Sequence, residues 1–249
     1  MRIGVLNDIH GNLPALEAIL AEIGRIGVDR IVVGGDVVPG PMPHLVLERL
    51  QAFGVPVDFI YGNGEVAVLE QLAGKAPALV PEAYRPMVRW SADQLDVTQR
   101  ESLARWPMTL RLDVPPIGDV LFCHATPRNE NEIFTPETSD DLLIPVFEPA
   151  HAAVVVCGHT HIQFDRHVGE TRVVNAGSVG MPFGRAGADW LTIGPDVELQ
   201  HTDYDLEAAA EQVRRSGYPA AEEFATNVIL NPPSTSAMMA LFAKHELKS

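Results

Sequence analysis

Carboxylate, amide and imidazole side chains directly follow several apolar segments of the chain. Asp8 and His10 come after the first apolar run, Asp36 after the second and Asn63 after the third. Three histidines follow two later runs: His124, His159 and His161. Because open α/β folds bind ligands at the carboxyl ends of their strands, we expect these side chains to lie together.

Mixed imidazole and carboxylate donors are typical of sites for manganese, iron, zinc, cobalt or nickel. Asp36 can bridge two ions because a carboxylate has two oxygens, and the Asn63 amide oxygen is a neutral donor. Two ions about 3.5–4 Å apart can hold both oxygens of an in-line displacement at phosphorus and supply hydroxide near pH 7. Each residue alone is better explained by a turn, a cap, the surface or the core, so the prediction of a dinuclear phosphoesterase centre depends on all the segments together.

The elements that would position these residues alternate between strand and helix in the first part of the chain. Apolar runs at 2–7, 30–34 and 57–61 predict strands. Helical patterns lie between them, one opening at Asn12 as its N-cap and one over 43–53. This β-α-β-α-β order predicts a parallel sheet with right-handed crossovers.

The rest of the chain predicts a helical insertion, a second group of strands and C-terminal helices. Residues 65–107 carry helical patterns, and Thr98 to Glu101 matches a capping box. Short-spaced strand patterns predict a mixed or antiparallel sheet at 108–114, 120–123, 153–157, 162–167, 171–175, 190–193 and 197–202. Helices follow over 205–249, with Asp205 as an N-cap. We predict one domain, 1–249, of two packed sheets with helices outside.

Composition limits the classes of partner. Lysine and arginine number 18 against 33 aspartate and glutamate residues, a formal charge of −15, which argues against a nucleic-acid polymer as partner. Bound divalent cations would reconcile this charge with an anionic substrate. The sequence has no apolar run near the ~20 residues that span a bilayer and no signal-like start, which predicts a cytoplasmic protein. Cys123 and Cys157 are too few for a disulfide framework.

The metal-binding motifs resemble the calcineurin-like metallophosphoesterase superfamily in their order and spacing. The matching segments are Asp8-x-His10, Gly35-Asp36, Gly62-Asn63, His124 and Gly158-His159-x-His161. Residues 175–180, Asn-Ala-Gly-Ser-Val-Gly, are similar to a segment of its small bacterial phosphodiesterase-like branch.

The resemblance implies a four-layer α-β-β-α sandwich and two bound metal ions. It implies that one ion is held by Asp8, His10 and His161, and the second by Asn63, His124 and His159. Asp36 would bridge them, opposite a hydroxide that attacks phosphorus. The residues expected to act in catalysis are then Asp36, Asn63 and His124.

One position departs from the family pattern. Many members have a histidine directly after the Gly-Asn pair, which protonates the leaving group, and here that position is Gly64. Loss of a general acid typically costs ~10²–10⁴-fold. We therefore hypothesise either that another group acts as the acid or that the protein prefers better leaving groups, as in a phosphodiester, a cyclic nucleotide or a nucleoside polyphosphate. Glu65 either favours the N-terminal dipole of the next helix or supports a metal ligand; the first interpretation is slightly favoured.

Two further residues are weaker candidates for substrate contacts. Arg128 can bind a phosphate oxygen, although an exposed loop arginine is an equal interpretation. Asn12 adjoins the first metal motif, but helix capping explains it. The aromatic and methionine side chains of the insertion predict core packing rather than a stacking platform for a base: Tyr84, Met87, Trp90 and Trp106.

The favoured function is a metal-dependent phosphodiesterase acting on a small phosphorylated substrate. The alternatives are a phosphomonoesterase or nucleotidase, a dinucleoside polyphosphate hydrolase and, of another class, a non-catalytic binding module or nucleotide sensor on the same fold. The sequence leaves open the substrate, the metal and whether the C-terminal helix packs on a second copy in a homo-oligomer.

Overall fold

The computed structural model describes residues 1–247 and contains two five-stranded mixed sheets. The first sheet has the order β10-β9-β1-β2-β3. Its strands are β1 Ile3–Leu6, β2 Arg30–Val33, β3 Val57–Phe59, β9 Ala188–Ile193 and β10 Val197–Thr202. The first three are parallel, as predicted, and β9 joins β1 antiparallel. The carboxyl ends of β1, β2 and β3 therefore share one edge.

The second sheet has the order β4-β5-β6-β8-β7. Its strands are β4 Thr109–Val114, β5 Gly118–Cys123, β6 Val154–Cys157, β7 Phe164–Val168 and β8 Thr171–Asn175. The central β5, β6 and β8 are parallel, and the two outer strands are antiparallel to their neighbours. The carboxyl ends of β5 and β6 are thus adjacent.

The sheets pack face to face through alternate side chains, because successive residues of a strand point to opposite faces. Val5 and Val32 of the first sheet lie in one buried cluster with Phe122 and Val156 of the second. The opposite faces are covered by helices. Leu16 and its neighbours pack against the first sheet, and Leu143 and its neighbours against the second. This arrangement confirms the four-layer α-β-β-α sandwich.

The helices follow the predicted distribution except for α6, which the sequence did not predict. Their bounds are α1 Leu13–Ile26, α2 Pro43–Gln51, α3 Asn63–Leu72, α4 Arg85–Gln94, α5 Val97–Leu103, α6 Asp140–Phe147, α7 Leu206–Arg214, α8 Ala221–Phe224 and α9 Thr235–Phe242. Short 3₁₀ turns precede α4 and follow α6, and a π-helical segment, Ala225–Leu230, follows α8. Among residues 1–247, no helix has both the length and the apolar character needed to cross a membrane.

The capping predictions are confirmed at two helices and wrong at a third. Asn12 accepts the Ala15 N–H, and Asp205 accepts the Ala208 N–H. The capping box of helix α5, however, lies two residues before the predicted one and is formed by Asp96 and Gln99. Asp96 accepts the Gln99 N–H at 2.7 Å, and the Gln99 side chain accepts the Asp96 N–H at 3.1 Å.

Candidate active site

The sequence-predicted residues meet where the carboxyl ends of the two sheets come together. Asp8 and His10 follow β1, Asp36 follows β2, and Asn63 is the first residue of α3. His124 directly follows β5, and His159 and His161 follow β6. The parallel arrangement of both strand sets therefore collects all seven side chains at one end of the sandwich.

The backbone at this end adopts left-handed conformations that side chains rarely allow. Within residues 1–247, six non-glycine residues have a positive φ. Five of them belong to the site, and the sixth is His151. The five are Asp8 (54°), His10 (48°), Asp36 (50°), His159 (65°) and His161 (56°). Such residues cost about 1–3 kcal/mol each and persist where the surroundings enforce them, commonly at functional sites.

One group of potential metal ligands contains Asp8, His10 and His161, whose donor atoms lie close enough to surround one ion. The Nε2 atoms of the two histidines are 3.2 Å apart. Asp8 Oδ1 lies 3.2 Å from His161 Nε2 and 3.8 Å from His10 Nε2. Two imidazole nitrogens and one carboxylate oxygen form a donor set that suits the transition metals.

A second group contains Asp8, Asp36 and His124. His124 Nε2 lies 3.5 Å from Asp36 Oδ1 and 3.9 Å from Asp8 Oδ1. The Asn63 amide oxygen is 3.0 Å from the same nitrogen. This group therefore offers nitrogen, carboxylate and amide donors around one point, and Asp8 belongs to both groups.

Backbone carbonyls orient the histidines of both groups. Each Nδ1 lies against one carbonyl oxygen: His10 against Pro39 at 3.2 Å, His124 against Gly34 at 2.9 Å, and His161 against Met181 at 2.9 Å. A carbonyl can only accept, so the neutral rings carry their proton on Nδ1 and turn the Nε2 lone pair into the cluster. Converging lone pairs of this kind, as at His10 and His161, fit a bound cation.

The Asp36 carboxylate spans the two groups. Oδ2 lies 3.8 Å from His10 Nε2, and Oδ1 lies 3.5 Å from His124 Nε2. The Gly64 N–H also donates to Oδ1 at 2.6 Å, which fixes the rotation of the carboxylate. Asp36 is therefore placed to contribute one oxygen to each side.

His159 lies beside the second group without joining either set of closely spaced donors. Its backbone N–H donates to Asp8 Oδ2 at 2.9 Å, and its ring centroid is 5.1 Å from that of His124. Burial, followed by the charge of His124, lowers the pKa of His159 to about 4. The ring is consequently neutral near pH 7, the form in which imidazole binds metals.

The carboxylates favour positive charge inside the cluster. Burial is the largest single influence on His161 and His124 and lowers their pKa, but the nearby carboxylates and hydrogen bonds together outweigh it, so both pKa values rise. The leading carboxylate is Asp8 for His161 and Asp36 for His124. Burial would likewise raise the pKa of Asp8, yet the two histidines hold it well below its usual range. A divalent cation supplies the same positive charge without a proton.

Glu65 supports the turn that presents Asp36. Its buried carboxylate accepts backbone N–H groups of Asp36, Val37 and Gly62, each at 2.7 Å, and of Val38 at 3.2 Å. Burial, followed by the Asp36 charge, raises the pKa of Glu65 to about 7 against the effect of these bonds. The slightly favoured interpretation, a dipole contact alone, is therefore incomplete, because Glu65 joins the α3 N-terminus to the Asp36 turn.

Gly64 has no space for a side chain. A Cβ there would lie 2.3 Å from Pro39 Cγ and 2.8 Å from Asp36 Oδ1. The residue is in helix α3 with an ordinary backbone conformation, so close approach rather than backbone freedom requires glycine. The family histidine could not occupy this position without displacing Pro39 or Asp36.

Ser178 and Asn175 support the site, a role that the sequence analysis did not predict. Ser178 Oγ donates to the Asp8 carbonyl and accepts the Met181 N–H, both at 2.8 Å. Asn175 Nδ2 donates to the Gly158 carbonyl at 2.6 Å. Both residues fall within the 175–180 segment, whose likeness to the phosphodiesterase-like branch was the available signal.

The two weaker substrate candidates, Asn12 and Arg128, both make contacts within the protein. Asn12 is buried; its Oδ1 caps α1, and its Nδ2 donates to the Gly180 carbonyl at 2.9 Å, so its amide is fully used. Arg128 forms an ion pair with Glu132, at 2.9 Å between Nε and Oε1. It lines a surface depression with residues such as Arg111 and Pro149, and none of the seven predicted metal ligands lines this depression.

Comparison with known proteins identifies the family. Residues 1–193 match the model of the calcineurin-like phosphoesterase superfamily domain, which covers more than half of the chain. The protein therefore belongs to the calcineurin-like metallophosphoesterase superfamily, as the motifs indicated.

One relative aligns with most of the chain in sequence, and two solved structures share its fold. The chain is 25% identical over 240 residues to uncharacterized protein MJ0912 of Methanocaldococcus jannaschii, covering 87% of this chain and 93% of that protein. The crystal structure of hypothetical protein PH1004 from Pyrococcus horikoshii OT3 superposes with a TM-score of 0.79 at 19% sequence identity. The match covers 94% of this chain and 99% of that chain. The crystal structure of a metallophosphoesterase from Sphaerobacter thermophilus superposes with a TM-score of 0.72 at 24% sequence identity. The match covers 91% of this chain and 98% of that chain.

Proposed function

We propose that this protein is a phosphodiesterase that depends on two divalent metal ions. The observation that carries the proposal is the placement of Asp36, whose two oxygens face His10 on one side and His124 on the other. A carboxylate between two donor groups is the arrangement that a pair of bridged ions requires.

The donor atoms divide into two sets around Asp36. Asp8, His10 and His161 would hold one ion, and Asn63 and His124 the other. Asp8 also belongs to the second donor group, so its carboxylate would support both ions. We assign His159 to the second set because its neutral ring flanks His124. Manganese, iron, zinc, cobalt and nickel all accept such mixed ligands.

A bound pair of such ions supplies a water of lowered pKa and stabilises charge that develops on phosphoryl oxygens. The chain's own contribution is to hold the donors rigidly. The carbonyls of Pro39, Gly34 and Met181 fix the imidazoles, and the Gly64 N–H fixes Asp36. Preorganised donors of this kind cost no reorganisation during the reaction.

The preference for a diester follows from position 64. A glycine there leaves the leaving-group oxygen without the family's histidine, and the packing against Pro39 excludes a substitute at the same position. Because a positioned general acid matters most for poor leaving groups, we propose substrates whose leaving groups depart readily. The retention of every predicted donor favours an enzyme over a binding module on this fold.

The proposal is tested on metal-stripped protein reconstituted with manganese, with bis-p-nitrophenyl phosphate and p-nitrophenyl phosphate as substrates. We expect turnover of the diester to exceed that of the monoester and to fall at least ~100-fold in Asp36→Asn and His124→Ala. Asp113→Asn and His167→Ala are matched controls, because both residues are exposed on outer strands. Failure of the metal-loaded protein to hydrolyse either compound would favour the binding module.

A further inference from the structure

A cavity of about 230 Å³ opens beside the metal-binding cluster. His10 forms part of its wall, together with Pro39 and Met181. The carbonyls of these last two residues also hold His10 and His161 in place. The inner end of the cavity is therefore built from the same residues as the candidate active site, and a group bound there would lie next to a phosphate at the metals.

The outer walls come from the two parts of the chain that lie outside the sandwich. Tyr84 and Met87 belong to the helical insertion, and Tyr218, Phe224 and Val228 to the C-terminal helical region. The prediction that the insertion side chains serve only in packing is thus incomplete. Trp106 does pack, stacked on Phe59 with centroids 4.5 Å apart, but Tyr84 and Met87 line the cavity.

Aromatic contacts fix the wall around Tyr218. Its ring stands edge-on to Trp90 at a centroid distance of 5.3 Å and to Phe224 at 6.2 Å. The first contact joins the insertion to the C-terminal region. A wall that is already ordered loses little conformational entropy when a ligand binds, which favours affinity for a complementary group.

The chemistry of the lining selects an uncharged group. Within the part of the chain that the structure describes, neither lysine nor arginine lines the cavity, and Glu223 is its single carboxylate. Burial, followed by the charge of Glu223, raises the pKa of Tyr218 to about 12, so the phenol stays neutral. A second phosphate would find no cation here and would face Glu223, whereas an apolar or aromatic ring would be in contact with tyrosine, methionine and phenylalanine side chains.

We propose that this cavity binds a ring-sized, uncharged apolar or aromatic group esterified to the substrate phosphate. The proposal rests on the proposed phosphodiesterase function and narrows its substrate class to diesters with such a group, rather than dinucleoside polyphosphates. The cavity volume of about 230 Å³ is consistent with one such substituent. It lies below the ~300–1,000 Å³ of clefts that enclose whole drug-sized ligands.

The test compares two diesters with the same p-nitrophenolate leaving group, phenyl p-nitrophenyl phosphate and methyl p-nitrophenyl phosphate, on the manganese-loaded protein. We expect kcat/KM to be about tenfold or more higher for the phenyl diester, because apolar contacts of this size give discrimination of that order. Equal kcat/KM values for the two diesters would overturn the cavity proposal. Hydrolysis of the methyl diester, whatever its rate relative to the phenyl diester, would still support the phosphodiesterase function.

Two variants locate the preference in the cavity. Ala220→Trp fills it from the C-terminal wall, and Tyr84→Ala removes an aromatic wall residue that is 55% exposed and whose loss spares the core. Both should bring the ratio of the two kcat/KM values towards one. Ala208→Trp, on the exposed side of α7, is the matched control and should keep the ratio. An unchanged ratio in both cavity variants would contradict the assignment.

Binding of unreactive diesters separates this proposal from catalysis. Calorimetric titration with diphenyl phosphate and dimethyl phosphate should show about tenfold or more tighter binding of the phenyl compound, and Ala220→Trp should remove the difference. This result would support the cavity even if neither substrate were hydrolysed, in which case the phosphodiesterase function alone would fail. Equal affinities would overturn the cavity proposal whatever the turnover.

Discussion

The Glu65 carboxylate accepts the backbone N–H of Asp36 at 2.7 Å. This bond joins the start of helix α3 to the loop between β2 and α2. The same carboxylate accepts the Gly62 N–H at the start of α3. Asp36, whose φ is 50°, lies in the loop between β2 and α2, outside any regular strand or helix. The position of the proposed bridging carboxylate, Asp36, therefore depends on Glu65, a buried acid in the first turn of helix α3.

Glu65→Gln should loosen the Asp36 turn. An amide has one accepting oxygen in place of two and turns its own N–H groups towards backbone donors, leaving some of them unpaired. We expect the free energy of unfolding to fall by about 1–3 kcal/mol and the metal affinity to fall roughly 10–100-fold, as for other supporting partners of ligands. Urea unfolding and metal titration measure these two effects.

Glu101→Gln is the matched control for this prediction, because Glu101 is exposed on α5. It should leave both quantities unchanged. Wild-type metal affinity in Glu65→Gln would show that the turn holds Asp36 without its buried acid.

Metal stoichiometry should distinguish shared from unshared ligands. Asp8 belongs to both donor groups, whereas His161 belongs to the first and His124 to the second. We expect two ions per chain in the native protein, about one in His161→Ala or His124→Ala, and fewer than one in Asp8→Asn, as measured by mass spectrometry of the eluted metal after gel filtration. Equal loss in all three variants would contradict two separable sites.

Gly64→Ala should displace Asp36 even though it adds a single methyl group. Its Cβ would lie 2.8 Å from Asp36 Oδ1 and 2.3 Å from Pro39 Cγ. We expect a destabilisation of about 1–3 kcal/mol, typical of overpacking, together with loss of diesterase activity. Thermal unfolding and the bis-p-nitrophenyl phosphate assay give the two readouts.

The matched control is Gly24→Ala on helix α1, where an added Cβ meets nothing within 4 Å. Its expected effect is neutral or a stabilisation of up to ~1 kcal/mol, since alanine is the better helix former. A Gly64→Ala protein as stable and active as Gly24→Ala would show that Pro39 yields readily, and a histidine at position 64 would then become a feasible addition.

The sequence predicted the collection of donors because their placement depends on local patterns. Asp8, Asp36 and His124 each follow an apolar strand directly, and parallel strands end at one edge. The two-sheet sandwich and its parallel strands are confirmed for the same reason. Chain order alone also placed the insertion and the C-terminal helices outside the sheets.

The roles that the sequence did not reveal depend on partners far away along the chain. Glu65 meets Asp36 across 29 positions, and Ser178 meets Asp8 across 170. No local pattern reports such contacts. The α5 cap failed for a different reason: Asp96 with Gln99 and Thr98 with Glu101 both satisfy the capping pattern, and only the packing of the helix selects the first pair.

The central claim is that catalysis requires both ions around Asp36. The most direct measurement is the rate of bis-p-nitrophenyl phosphate hydrolysis while metal-stripped protein is titrated with manganese. We predict little hydrolysis up to one equivalent of manganese per chain and a rise to a maximum rate at two equivalents. The rate for Asp36→Asn should be at least ~100-fold lower at every manganese concentration. Full activity at one equivalent, or an active Asp36→Asn protein, would contradict the account.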